Sequence, residues 1–121
     1  MGIGDLDLNK PYTYADYYKW KFDDRVELIN GKIFEMGVAT PVHQRISGRF
    51  FIEIGQHLKR KTCEVFSAPF DVRLPRRSKN DEDITTVFQR DICVICEPTK
   101  IDNRGCVGAP DIVIEILSPV R

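Results

Sequence analysis

No stretch of this chain approaches the roughly 20 consecutive apolar residues that cross a bilayer. Met1-Gly2-Ile3-Gly4-Asp5 also lacks a basic segment leading into an apolar one, so the expectation is a cytoplasmic protein. An excess of one charge is missing too: 18 Lys and Arg balance 18 Asp and Glu. That balance excludes a global electrostatic footprint of the kind that recruits nucleic acid by itself, and any such binding must be local. Internal repeats and low-complexity tracts are absent. The 121 residues, 42% hydrophobic and 30% charged, fit one soluble globular domain and are too few for two.

Paired cysteines at metal-ligand spacing are scarce. Of Cys63, Cys93, Cys96 and Cys106, the pair Cys93-Val94-Ile95-Cys96 has zinc-knuckle spacing. It lies, however, in an aliphatic run that reads as a strand, where residues three apart point to opposite faces. No second closely spaced pair and no neighbouring histidine completes a site. The cysteines are expected to be buried, reduced thiols rather than disulfides or zinc ligands.

What is present follows a readable order. Residues 1–12 carry little pattern and are expected to form an arm, with the domain running over 13–121. Thr13 with Asp16 predicts a capping box opening a short helix over 14–20. Arg25-Val26-Glu27-Leu28-Ile29, Asn30-Gly31 and Lys32-Ile33-Phe34-Glu35-Met36 predict a hairpin, because Asn-Gly favours the type I′ turn. Alternation by itself puts Glu27 on a solvated face.

Thr40-Pro41 predicts the start of the one long helix, with Ile46, Phe50, Ile54 and Leu58, joined by Phe51, as the apolar stripe that lies across the sheet. His43 falls in the first turn. The helix dipole there disfavours imidazolium, so His43 is expected to be an acceptor or ligand, or else simply a polar residue near a helix end. His57, beside Lys59-Arg60-Lys61, reads as a solvated residue at the other end.

Cys63–Ser67, Phe70–Leu74, Thr85–Phe88 and Asp91–Cys96 read as further strands, with Pro75 to Asp83 as a loop and Glu97 to Ala109 as a turn-rich connection. The last stretch, Gly108 to Ser118, is the most pointed. Five of the six residues from Ile112 to Leu117 are aliphatic, and Pro110 and Ser118-Pro119 punctuate the ends, as for a central strand buried on both faces. Glu115 interrupts that run. A carboxylate in such a place costs several kcal/mol, roughly, unless a cation, a hydrogen-bond network or a metal compensates it. Something is therefore expected opposite Glu115.

Asp91 opens one aliphatic strand and Glu115 lies within the next. If the two strands are neighbours, the carboxylates converge and can hold a divalent ion, since Mg²⁺ prefers hard oxygen ligands and keeps waters for substrate. The same pattern also arises from solvation of strand ends, or from ion pairing with Arg90 or Arg104.

The blocks Val26-Glu27-Leu28-Ile29-Asn30-Gly31-Lys32-Ile33, His43-Gln44-Arg45-Ile46-Ser47, Ala68-Pro69-Phe70-Asp71-Val72-Arg73-Leu74, Asp91-Ile92-Cys93-Val94 and Gly105 to Ser118 carry a family resemblance. The chain resembles the Uma2 family of restriction endonucleases, a branch of the PD-(D/E)xK nuclease superfamily, from about Tyr14 onward. The resemblance implies an α/β (α+β) restriction-endonuclease-like core, a mixed β-sheet flanked by helices. It also implies Mg²⁺ (or Mn²⁺)-dependent hydrolysis of nucleic-acid phosphodiesters, DNA rather than RNA. Without the helix that covers the sheet in relatives, an apolar face and an unpaired edge would be exposed, so the chain is expected to form homo-oligomers.

Residue by residue, the resemblance makes Asp91 and Glu115 the metal ligands and adds Glu27 and His43 to the catalytic set. Asp111 is a second choice of ligand. The sequence departs from the family at Arg90, where proline is usual, and at Leu117, where the motif has lysine. In this branch the lysine would come from a helix beyond the glutamate strand, which this sequence does not reach. The expectation is an incomplete C-terminus and a chain that is inactive without it. The alternative is a non-catalytic binding or self-associating module that keeps the nuclease fold.

Overall fold

The structure is a computed structural model and describes residues 2–20 and 25–117. The first hairpin forms where Asn-Gly dictates it. Strands β1 (Val26–Ile29) and β2 (Lys32–Glu35) pair antiparallel with Ile29 opposite Lys32. Asn30 and Gly31 take the positive φ values, 49° and 82°, that a type I′ turn requires. Helix α1 (Tyr14–Tyr17) is a single turn, shorter than the predicted span, and opens on the Thr13–Asp16 capping box. Helix α2 (Pro41–His57) opens on Thr40, whose hydroxyl accepts the His43 amide at 3.2 Å.

Strands β3 (Glu64–Ser67), β4 (Val72–Arg73), β5 (Val87–Phe88), β6 (Ile92–Ile95), β7 (Ile101–Asp102), β8 (Gly105–Val107) and β9 (Ile112–Ile114) follow. They form a six-stranded mixed sheet, in the order β2-β1-β5-β4-β8-β7 with β4 and β8 parallel, and a three-stranded antiparallel sheet, β3-β6-β9. This is the mixed α+β, restriction-endonuclease-like architecture that the sequence led us to expect.

Two apolar cores hold it. Tyr12, Tyr14, Leu28, Ile84 and Val87 pack between the N-terminal residues and the larger sheet, while Val72, Cys93, Ile95 and Cys106 join the two sheets. The β7–β8 hairpin was unreadable in the turn-rich connection because its strands are too short to show alternation. Its fixed point is Gly105, at φ +131°, where a Cβ would drive into the carbonyl of Asp71.

Several expectations are corrected. Among the described residues β9 is not central but an edge strand, and Ile112 and Val113 are 53% and 42% exposed. Its aliphatic run reflects β propensity, not burial on both faces. Ser118-Pro119, expected to close it, lie outside the described residues. On α2 the inward residues are His43, Ser47, Phe51, Ile54 and Leu58, with Gly55 against Val65 of β3. Ile46 and Phe50 of the predicted stripe are exposed, because the helix is rotated toward the residues that reach β3.

The cysteines divide. Cys93 and Cys106 are buried free thiols, and burial pushes Cys93 up to about 11. Cys63 and Cys96, by contrast, form a disulfide. The antiparallel register sets Glu64 opposite Ile95, so the next pair outward is Cys63 and Cys96. Strand alternation sends Cys96 away from Cys93 and toward a partner 33 residues earlier.

Two outcomes follow. Reducing the Cys63–Cys96 bond, or replacing Cys63 by Ser, is expected to cost about 3–4 kcal/mol for a loop of this length, read as a lower Tm by calorimetry with and without reductant. The second concerns buried Arg73, which donates to Asp102 Oδ1 and lies 5.0 Å from the Tyr14 ring centroid, while its Nε has no hydrogen-bond partner among the described residues. Partial burial raises the Asp102 carboxyl, but the Arg73 and Arg104 hydrogen bonds outweigh it and hold the pKa below the usual range. The lowered carboxyl stabilises the fold above its unfolded pKa near about 3.9, and this contribution is lost as pH falls through the folded value. Asp102→Asn should therefore lower stability at pH 7 by about 1 kcal/mol, with the gap to wild type closing in acid melts.

Candidate active site

The site lies where the chain passes from one sheet to the other. Gln89, Arg90 and Asp91 connect β5 of the larger sheet to β6 of the smaller, and Ala68 to Asp71 make the return crossing between β3 and β4. The two crossings are stitched together. The Ala68 amide donates to the Asp91 carbonyl at 3.0 Å, and Gln89 Nε2 donates to Asp71 Oδ1 at 2.7 Å. Tyr17 donates to the same Asp71 oxygen at 2.9 Å, and burial together with that acceptor pushes its phenol well up, so it stays a donor. Arg25 completes the chain of bonds through Gln89 Oε1.

Beside this junction a cleft of about 580 Å³ opens between β1, the segment after β2, the first turn of α2, and the starts and ends of β6 and β9. Its walls include Glu27, His43, Arg90, Asp91 and Glu115. The structure thus brings all four sequence-predicted residues, Glu27, His43, Asp91 and Glu115, to one cavity. The β6–β9 register explains half of this: Ile92 pairs with Ile114, so Asp91 and Glu115 are the next pair along.

Glu27 does not lie on a solvated face. It is 7% exposed, its Oε2 accepting the Gln89 amide at 3.3 Å and lying 2.8 Å from Arg90 Nη1. The same Nη1 is 3.4 Å from Glu115 Oε2, which supplies the partner expected opposite Glu115. Arg104, the other cation considered, pairs with Asp81 instead.

Asp91 is anchored on both oxygens. Oδ1 is 3.0 Å from His43 Nε2, and Oδ2 accepts the Ile116 amide at 2.7 Å. A nitrogen facing a carboxylate oxygen carries the hydrogen, so Nε2 is a donor rather than the acceptor expected. His43 Nδ1 is buried and has no hydrogen-bond partner among the described residues. Glu115 is held above the usual carboxyl range, first by burial and then by hydrogen bonding to, and repulsion from, Asp91, with Arg90 opposing. Asp111 is not brought here. Its carboxylate accepts the Cys96 amide at 2.7 Å at the far end of β9.

Sequence reasoning missed Arg25 beside the cleft, and it named Arg90 only as an ion-pair partner of the paired acids. Nothing local says that the head of Arg90 also reaches Glu27 on β1.

For metal binding, the available donors are hard carboxylate oxygens on Glu27, Asp91 and Glu115. No three His, Cys, Asp or Glu among the described residues form a cluster that encloses an ion as placed. The pair Asp91 and Glu115 nonetheless fits a Mg²⁺-type site, which commonly uses one or two carboxylates plus water and substrate phosphate. Burial first, and then the nearness of Asp91, raise the Glu115 carboxyl, and a cation between the two acids would oppose that rise.

The Asp91–Ile116 bond is testable. Asp91→Ala should speed amide exchange at Ile116 by about 10- to 100-fold, since a hydrogen bond to a charged group contributes about 1.5–3 kcal/mol. Asp91→Asn, which keeps an oxygen acceptor, should change it far less.

A family model described as "Putative restriction endonuclease", Uma2, matches residues 14–120. An uncharacterised protein of Synechocystis sp. is 26% identical over 106 residues, which are 86% of this chain and 52% of that protein. The chain thus spans about half the length of the curated relative it matches. With the match running through both sheets and all four residues of the cleft, the chain belongs to the Uma2 family.

Proposed function

We propose that this chain is the acid-bearing part of a metal-dependent nuclease of the PD-(D/E)xK kind, hydrolysing phosphodiester bonds in DNA rather than RNA. The observation that carries this reading is the convergence of Asp91 and Glu115 from paired strands into one cleft with Glu27 and His43. The family's description as restriction endonucleases supports nucleic acid as the partner.

Asp91 and Glu115 would hold a Mg²⁺ or Mn²⁺ ion, which when bound supplies an activated water and a Lewis acid for the phosphate. The chain's own residues set the stage. His43 and the Ile116 amide fix the Asp91 carboxylate in orientation while leaving lone pairs free for a further partner. Glu27, buried and held by the Gln89 amide, extends the acidic wall toward the larger sheet.

A second reading is supported by a different surface. Val42, Ile46, Phe50 and Ile52 on α2 and Ile112 and Val113 on the β9 edge are exposed, as suits a self-associating module that keeps the fold without chemistry. Among the described residues no helix is long and apolar enough to cross a membrane.

Calorimetry separates the two readings. The wild-type chain is expected to bind Mn²⁺, with binding abolished by Asp91→Ala and by Glu115→Ala. Any cleavage of plasmid or single-stranded DNA should fall at least about 10²-fold in both variants. A well-folded wild type that binds no metal sinks the nuclease reading and leaves the self-associating module.

A further inference from the structure

In the nuclease reading, on which this inference rests, a divalent ion and a phosphate must come together at the acids. The described cleft already holds a cation of its own. Arg90 Nη1 bridges Glu27 Oε2 at 2.8 Å and Glu115 Oε2 at 3.4 Å, joining carboxylates from the two sheets through one nitrogen. Asp91 does not depend on it, because its oxygens are met by His43 and the Ile116 amide. Arg90 thus occupies the position of a counter-ion between Glu27 and Glu115. It cannot do a metal's work there, since a guanidinium stays protonated and does not coordinate and ionise a water.

The rest of the cleft says what would happen if a metal arrived. Glu27, Glu35, Asp91 and Glu115 face Arg25 and Arg90 across it, four carboxylates against two guanidiniums, which leaves two negative charges to be met, His43 apart. One divalent ion meets them. An ion held by Asp91 and Glu115 takes Glu115 from Arg90, whose guanidinium keeps Glu27 and has its other nitrogens free to pair with a phosphate, whose geometry its fork matches. Arg90 is placed for such an exchange. Its side chain is 27% exposed and its head lies 5.0 Å from the centroid of the Phe88 ring, an apolar support that adds no competing carboxylate.

We propose that Arg90 makes metal binding and phosphodiester binding mutually dependent, its guanidinium standing in for the divalent ion in the free protein and turning to the phosphate when that ion binds. By linkage each ligand then raises the other's affinity by the same factor.

The test is a titration of Mn²⁺ into the full chain, alone and with a saturating nuclease-resistant phosphorothioate DNA duplex. In wild type the duplex should tighten Mn²⁺ binding by about 5- to 100-fold, the usual range of such coupling. Arg90→Gln should bind Mn²⁺ more tightly than wild type without DNA and lose most of the enhancement. Arg25→Gln, which removes a charge from the same cleft but bonds to Gln89 rather than to the acids, should change neither quantity comparably. Asp91→Asn added to Arg90→Gln should abolish the gain, locating the ion at the acids.

Wild-type affinity and an intact DNA enhancement in Arg90→Gln overturn the proposal while leaving the metal site standing. An equal gain in Arg25→Gln does the same, since it would reflect the overall field. No Mn²⁺ binding by folded wild type or variant, with or without DNA, overturns both this proposal and the nuclease reading. Should Arg90→Gln fail to fold by circular dichroism, Arg90→Lys, which keeps the charge without the fork, replaces it. Reduced coupling in Arg90→Lys supports the proposal, and unchanged coupling overturns it.

Discussion

One guanidinium ties the two sheets at their polar end. Arg90 stands on the short connector between them and reaches Glu27 on one and Glu115 at the end of the other. A carboxylate as buried as Glu27 would be costly without a cation and a backbone donor beside it, and the connector supplies both, Arg90 and the Gln89 amide. The apolar contacts of Val72, Cys93, Ile95 and Cys106 join the sheets on the dry side, and the charged residues gather where the chain changes sheets and regular backbone pairing stops.

The acids in the cleft are held by unequal means, and this shapes the chemistry. Asp91 is locked in orientation by a histidine and a backbone amide. Glu27 is buried, paired with Arg90 and bonded by the Gln89 amide. Glu115 is the most exposed of the three, its carboxyl raised by burial and by Asp91, with Arg90 as a longer partner. In the proposed nuclease, a well-anchored acid beside a more exposed one would suit a hard cation that takes one or two carboxylates together with water.

Stability and function draw on different parts of the molecule. The Tyr14–Arg73–Asp102 cluster and Gly105, pressed against the Asp71 carbonyl, brace β4 and the β7–β8 hairpin. The Cys63–Cys96 bond closes the end of the smaller sheet opposite the acids. The exposed faces of α2 and β9 do neither. They are the apolar surface that a self-associating protein would bury.

The local signals in the sequence were sufficient for local structure. Asn30-Gly31 determined a hairpin, Thr13 and Thr40 the starts of two helices, and Asp91 was marked by opening an aliphatic run and Glu115 by interrupting one, because turns, caps and alternation are written within a few residues. Burial was less legible: Glu27 alternates like a surface residue yet is enclosed, and Ile112 and Val113 look interior yet line an edge, since neighbours from distant segments decide what covers a strand. The Cys63–Cys96 pairing needed a register 33 residues long, and β7 and β8 were too short to show a period. Tertiary structure alone decided the union of Arg90 with Glu27 and Glu115, 63 and 25 residues away in the chain. A long, flexible side chain chooses its partner by where two sheets meet, and no local pattern records that.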